Sequence, residues 1–238
     1  MIRPLIEMEL KGMRIYKTFL FVNLLLMPFA LLFMMIMNSS SRTPEDISYL
    51  VSGFIVVSLV SSFLGTLTNR VSNIFEPSVL ELYSTLPPRI SKVVLAQFLT
   101  YSLLVLPQVL IGLVVILYYQ GVSRINAPLL VLALLLTFLE LGALAVAIGA
   151  RIGNPYKAMA VTTILPWLLV VFSPAYYHSS FPALYLNPVT HLLLCVRSAI
   201  GLQEISPIPW LVSGALTVIF TALAIRNVGS SYMLEKPF

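Results

Sequence analysis

Six apolar stretches, at residues 19–37, 49–68, 93–119, 128–149, 158–177 and 208–226, constrain this chain more than anything else in it. Each has about the 17–25 residues a helix needs to cross a hydrocarbon core, and the third is longer. Inside a bilayer the backbone must satisfy its own hydrogen bonds, so the expectation is an all-α polytopic membrane protein with six transmembrane helices. Composition agrees. The 238 residues are 59% hydrophobic and 10% charged, against about 25% charged in soluble domains. Such a chain cannot cover its apolar side chains with polar surface in water. Pro107, with Gln97 and Gln108, predicts a tilt or kink in the third stretch, and Pro28 and Pro166 predict bends in the first and fifth. No internal repeat or low-complexity linker interrupts the series, so residues 1–238 read as one membrane domain.

Residues 1–18 differ in pattern. Arg3, Glu7, Lys11 and Arg14 form a polar stripe, with Ile2, Leu5, Ile6, Leu10 and Met13 on the other side. That predicts an amphipathic helix resting at the membrane surface, a solvated tail being the alternative. A signal peptide fits less well. Two glutamates stand in the would-be basic region, and the apolar run behind it exceeds the roughly 7–15 residues expected.

Positive charge sets the orientation. With the N-terminus cytoplasmic, the inner side holds Arg3, Lys11, Arg14, Lys17, Arg70, Arg89, Lys92, Arg151, Lys157, Arg226 and Lys236. The outer side holds Arg42, Arg124 and Arg197. Eleven against three, out of 14, is a strong bias across short loops, and it puts both termini inside. The basic residues are scattered between apolar segments, which argues for membrane topology and against a nucleic-acid partner.

Residues 76–92 are the most polar long connection, and they face the cytoplasm in that orientation. Val79, Leu82, Tyr83 and Leu86 fall on one helical face. Pro77 suits a first helical position, while Pro87 and Pro88 stop the helix, which gives a separate helix over 77–86. Its apolar ridge calls for a groove on a partner, with Leu82 and Tyr83 as anchors and Glu76, Glu81 and Arg89 at the rim. Packing on its own membrane domain is the alternative.

The last outer connection, residues 178–207, is long and mostly apolar. Asn187 is a good N-cap and Pro188 a good first residue; Val189, Leu192, Leu193, Val196 and Ile200 share one face, and Gly201 ends the run. A short helix dipping into or lying on the outer interface is expected, with 181–186 as a possible descending arm of a re-entrant hairpin. An ordinary amphipathic loop is the alternative. Arg197 is expected to snorkel to headgroups.

Two segments carry a resemblance. Val79-Leu80-Glu81-Leu82-Tyr83-Ser84-Thr85-Leu86-Pro87 is similar to the "T-L-E-L-L-x-S-x-P" loop of the membrane permease subunits of type 2 ATP-binding-cassette (ABC) exporters. Leu186-Asn187-Pro188-Val189-Thr190 through Val196-Arg197 is similar to their "L-N-P-L-T…A-L-R" segment. The layout of six spans after an amphipathic helix matches as well. Glu76-Pro77-Ser78 stands where that family often has an acidic-basic run and a Gly-Thr, and no large extracellular domain is inserted. The resemblance implies a half-transporter in the plasma membrane. A second permease chain, alike or different, and a cytosolic ABC ATPase binding ATP and Mg would complete it. The loop helix would be the coupling helix, with Glu76, Leu80, Glu81, Leu82, Tyr83, Leu86 and Pro87 contacting the ATPase. Asn187 and Arg197 become pathway or gate candidates.

Catalytic chemistry is absent from the sequence. There is no phosphate-binding Gly-x-x-x-x-Gly-Lys-Ser/Thr loop, no His-Glu-x-x-His, no Cys-x-x-Cys and no Gly-x-Ser-x-Gly. The chain is therefore expected to be no enzyme and to bind no cofactor itself. Cys195 is the one cysteine, which excludes an internal disulfide. His178 and His191 are expected to be solvated near the outer loop. Glu140 is the one acidic residue well inside a span, at a cost of roughly 2.5–3.5 kcal/mol near the bilayer centre. It is a pathway candidate or an interhelical hydrogen bond. Gly142, Ala143, Ala145, Ala147 and Gly149 follow it and favour close helix approach. A passive or proton-coupled six-span carrier using Glu140 is the alternative function, and the transported substrate is open.

Overall fold

The apolar runs fold as helices over their described residues, and side-chain caps set where several of them start. A computed structural model describes residues 2–13, 18, 21, 26–38, 43–84, 89–121, 124–179 and 181–233. Among these the chain is all helix and turn, with no strand. The helices are α1 (Ile2–Met13), α2 (Met27–Asn38), α3 (Pro44–Ile74), α4 (Pro77–Ser84), α5 (Ile90–Gln120), α6 (Ala127–Ile152), α7 (Pro155–Val171), α8 (Pro188–Ala199) and α9 (Pro207–Met233). A 3₁₀ turn, Pro182–Leu186, precedes α8.

Side-chain caps explain the starts of α3, α6 and α7. Thr43 accepts a hydrogen bond from the Asp46 amide at 3.2 Å, with Pro44 following and Glu45 and Asp46 in the first turn. Asn126 accepts from the Leu129 amide at 3.2 Å to begin α6, and Asn154 from the Lys157 amide at 3.1 Å to begin α7. Between them Gly153, at φ 53°, turns the chain in the left-handed conformation a side chain disfavours.

Four helices, within Pro44–Ile74, Ile90–Gln120, Ala127–Ile152 and Pro207–Gly229, are long and apolar enough to cross a membrane. By that length and composition this is a multi-pass membrane protein. The second predicted span is longer than residues 49–68. It runs from Pro44 to Ile74 because no proline or glycine turn stops it before Phe75. It also contains a π-helical segment, Ser61–Leu67. The fifth predicted span is shorter than 158–177. It ends at Val171, and a turn that includes Pro174 follows, so α7 has 17 residues. Of the first predicted span, 19–37, only its C-terminal part is seen as helix, in Met27–Asn38; most of 19–25 lies outside the described residues.

Helix α3 is the centre of the packing, buried over nearly its whole length against α2, α5, α6, α7 and α8. Helices α6 and α9 form the most extensive pair. The small-residue run in α6 does what its composition predicts. A methyl group at Gly149 would stand 2.6 Å from the Thr68 carbonyl oxygen, so only glycine lets α6 and α3 meet there. Helix α1 packs on α5 and is tied down through an unpredicted ion pair: Arg70 donates from Nε to one oxygen of Glu9 at 2.6 Å and from Nη2 to the other at 3.2 Å. Glu9 is buried. Arg3, Glu7 and Lys11 of the polar stripe thus face away while a carboxylate on the packed side of α1 reaches α3.

Candidate functional site

Three groups of polar or ridge residues stand out, one at each end of the bundle and one within it. The first is α4, held between the ends of α3 and α5. The Glu76 carbonyl accepts from the Val79 and Leu80 amides at 3.0 and 2.8 Å, so the helix starts where Pro77 predicts. Of the residues expected to meet a partner, Leu80 and Tyr83 turn inward and Leu82 does not. Leu80 is sunk into the core and Tyr83 packs against it, while Leu82 is 63% exposed and Glu81 is exposed. Apolar periodicity defines ridges without saying which one the parent bundle takes. Here the Leu80–Tyr83 row roots the helix and Leu82 projects. Burial pushes the Tyr83 phenol above its ordinary pKa; Arg70 pulls it down and Glu9 raises it, so Tyr83 sits close to that ion pair. Leu86 and Pro87 lie outside the described residues.

The second group centres on Glu140 in α6. Its carboxylate is wholly buried, and neither oxygen has a hydrogen-bond partner. Ser213 of α9, also unpartnered, and Cys195 of α8 are its neighbours. Ser213, facing it across the α6–α9 contact, is the group an interhelical hydrogen bond would use. Gln97 of α5 is likewise buried with both amide atoms unpartnered.

The third group closes the opposite end of the bundle, and it corrects the expectation for Arg197. The side chain does not reach outward. It is fully buried, because α8 is enclosed by α3, α6 and α9 instead of lying on a surface. Its Nε donates to Ser52 Oγ at 3.1 Å and its Nη2 to the Ala175 carbonyl at 3.0 Å. Its guanidinium carbon stands 3.4 Å from the centre of the Tyr49 ring. His178 stacks on that ring at 3.9 Å, so the phenol is sandwiched. The Tyr49 hydroxyl, 3.0 and 2.9 Å from the Pro174 and Tyr177 carbonyls, donates into the turn after α7. Gly53 makes this possible, since any side chain there would collide with the Ala175 carbonyl. No carboxylate pairs with Arg197 among the described residues. The buried cation is held by one aromatic face and two acceptors.

Asn187 does more than its predicted capping. Its Oδ1 accepts from the Val189 amide at 3.0 Å to start α8. Its Nδ2 donates to the Leu169 and Phe172 carbonyls at 2.7 and 2.8 Å, at the end of α7. One amide therefore satisfies both a helix start and a helix end. His191 is not solvated; it is buried, with Nε2 on the Tyr185 carbonyl at 2.9 Å. No cluster of three or more metal-ligating side chains occurs among the described residues.

Sequence reasoning brought out Glu140, Asn187, Arg197 and the α4 ridge but not what they touch. Glu9, Tyr49, Ser52 and Arg70 escaped it. The signal for Glu9 was its place beside Met8 and Leu10, off the polar stripe; for Arg70 it was a charge near the end of an apolar run. No protein-family model matches the sequence, and no curated protein is significantly similar to it.

Proposed function

We propose that this protein is the permease subunit of an ATP-driven exporter of the type 2 ABC class, in the plasma membrane with both termini cytoplasmic. In this reading α2 and α7 complete a set of six spans. A second permease chain shares the pathway, and a separate cytosolic ATPase supplies the ATP and Mg chemistry. Helix α4 is the coupling helix. The observation that carries the proposal is the division of labour on α4: Leu80 rooted in the bundle, Leu82 at 63% exposure on the side away from it. Such a helix, at the end of the bundle richest in Lys and Arg, passes motion from a docked partner into α3 and α5. The Tyr49–Arg197 group, at the far end of α3, is where that motion opens or closes the outer side.

The test is co-purification from native membranes with mass spectrometry. Wild type brings down a phosphate-loop ATPase; Leu82→Asp inserts and folds normally and loses it. Retention of the ATPase by a folded Leu82→Asp protein sinks the proposal.

A second reading is favoured by one observation, the buried and unpartnered Glu140. A proton-coupled carrier needs a carboxylate of this kind in its path. Under that reading Glu140→Gln abolishes transport that runs on a proton gradient without ATP; under the first it leaves ATP-driven transport in place.

A further inference from the structure

A pocket of about 420 Å³ opens beside α8. Its size falls within the range of ligand sites, roughly 300–1,000 Å³. One wall is the α8 face carrying His191, Leu194 and Ser198, of which His191 and Ser198 are buried. The other walls are Tyr185 and the connection into α9, with Glu204 and Ile208. This is the Arg124 end of the bundle: the Asn126 amide donates to the Ala199 carbonyl at 2.8 Å.

The chemistry of the lining is one-sided. Glu204 makes no ion pair among the described residues. Arg124, whose backbone abuts Gly201, pairs with Glu45 at 3.0 Å instead. The Tyr185 ring is half exposed at the pocket. A carboxylate and an aromatic face both favour a cation with N–H donors. Leu194 and Ile208 provide contact for a short alkyl part.

We propose that this pocket binds a primary ammonium group, with Glu204 as its counter-ion and Tyr185 as its aromatic wall. The site is independent of how transport is powered. A water-soluble amine and the headgroup of phosphatidylethanolamine share this chemistry, and the experiment separates them.

Gln203, which also lines the pocket, is replaced by cysteine, and its rate of reaction with an impermeant maleimide is measured. The native Cys195 is buried and stays silent. In phosphatidylcholine nanodiscs, butylammonium slows labelling saturably, whereas butan-1-ol and butyrate do not. Slowing that occurs without added amine, and only in nanodiscs containing phosphatidylethanolamine, assigns the site to the lipid headgroup. In either case Glu204→Gln raises the half-protecting concentration or lipid fraction by about threefold or more, as loss of an exposed charge pair implies. Tyr185→Leu weakens protection as well, which a purely electrostatic patch would not show. Absence of protection in both arms overturns the proposal. So does equal protection by butan-1-ol, or protection unchanged in a folded Glu204→Gln variant.

Discussion

Tyr49 offers the sharpest test of how a cation survives inside this bundle. Its ring lies 3.4 Å from the Arg197 guanidinium carbon, and its hydroxyl bonds the turn after α7. Tyr49→Phe keeps the ring and removes the hydroxyl, at a cost of about 1–2 kcal/mol. Tyr49→Leu also removes the aromatic face. A desolvated cation–π contact is worth about 2 kcal/mol or more. Loss of the stacked His178 ring adds about 1 kcal/mol. The leucine variant should therefore lose about 4–5 kcal/mol in total. Arg197→Met supplies the control. With the cation gone, the extra cost of Tyr49→Leu over Tyr49→Phe should shrink by about 2 kcal/mol, the coupling energy of the pair. Equilibrium unfolding in detergent mixed with sodium dodecyl sulfate, followed by circular dichroism, measures all the corners of this cycle. Two outcomes would show that the aromatic face is not what holds the charge. One is an equal cost for the two Tyr49 substitutions; the other is a difference between them that persists unchanged in the Arg197→Met background.

Three further outcomes are expected. Gly149→Ala, which drives a methyl group onto the Thr68 carbonyl, destabilises by about 1–3 kcal/mol, while Gly214→Ala, with nothing within 4 Å, is neutral or slightly stabilising; thermal melts of the two variants check the contrast. Glu9→Gln breaks a two-pronged charged pair at a cost of about 1.5–3 kcal/mol and frees α1, read as faster proteolysis near the N-terminus with the remaining core intact. A cysteine at Ser206 reacts with an impermeant maleimide added outside intact cells and one at Ser78 does not; the reverse pattern overturns the orientation.

Local chemistry was readable in the sequence and partner choice was not. Pro77, Asn187 and Pro188 start helices where their backbone preferences say they must. Gly149 was legible as a close-approach residue because small side chains have few other uses there. Arg197 was misread because a cation in a loop between apolar segments has a cheap route to water, unless neighbouring helices enclose it, and only tertiary packing reveals that enclosure. Leu80, grouped with Leu82 among the residues offered to a partner, is buried for the same reason: both are leucines on one short helix, and the bundle takes one of them. Ser52 and Arg197 are 145 positions apart, beyond the reach of any local pattern.

The wide π turn at Ser61–Leu67 has a mechanical consequence for α3. Such a turn stores one residue more than an α turn, which offsets the two halves of the rod by about 100°. Tyr49 and Ser52 meet Arg197 on one side of this offset, and Arg70 meets Glu9 on the other. Deleting one residue from the segment would rewind the rod and swing one of those appointments out of reach. The phase of a single helix thus decides whether both ends of the bundle can be fastened at once.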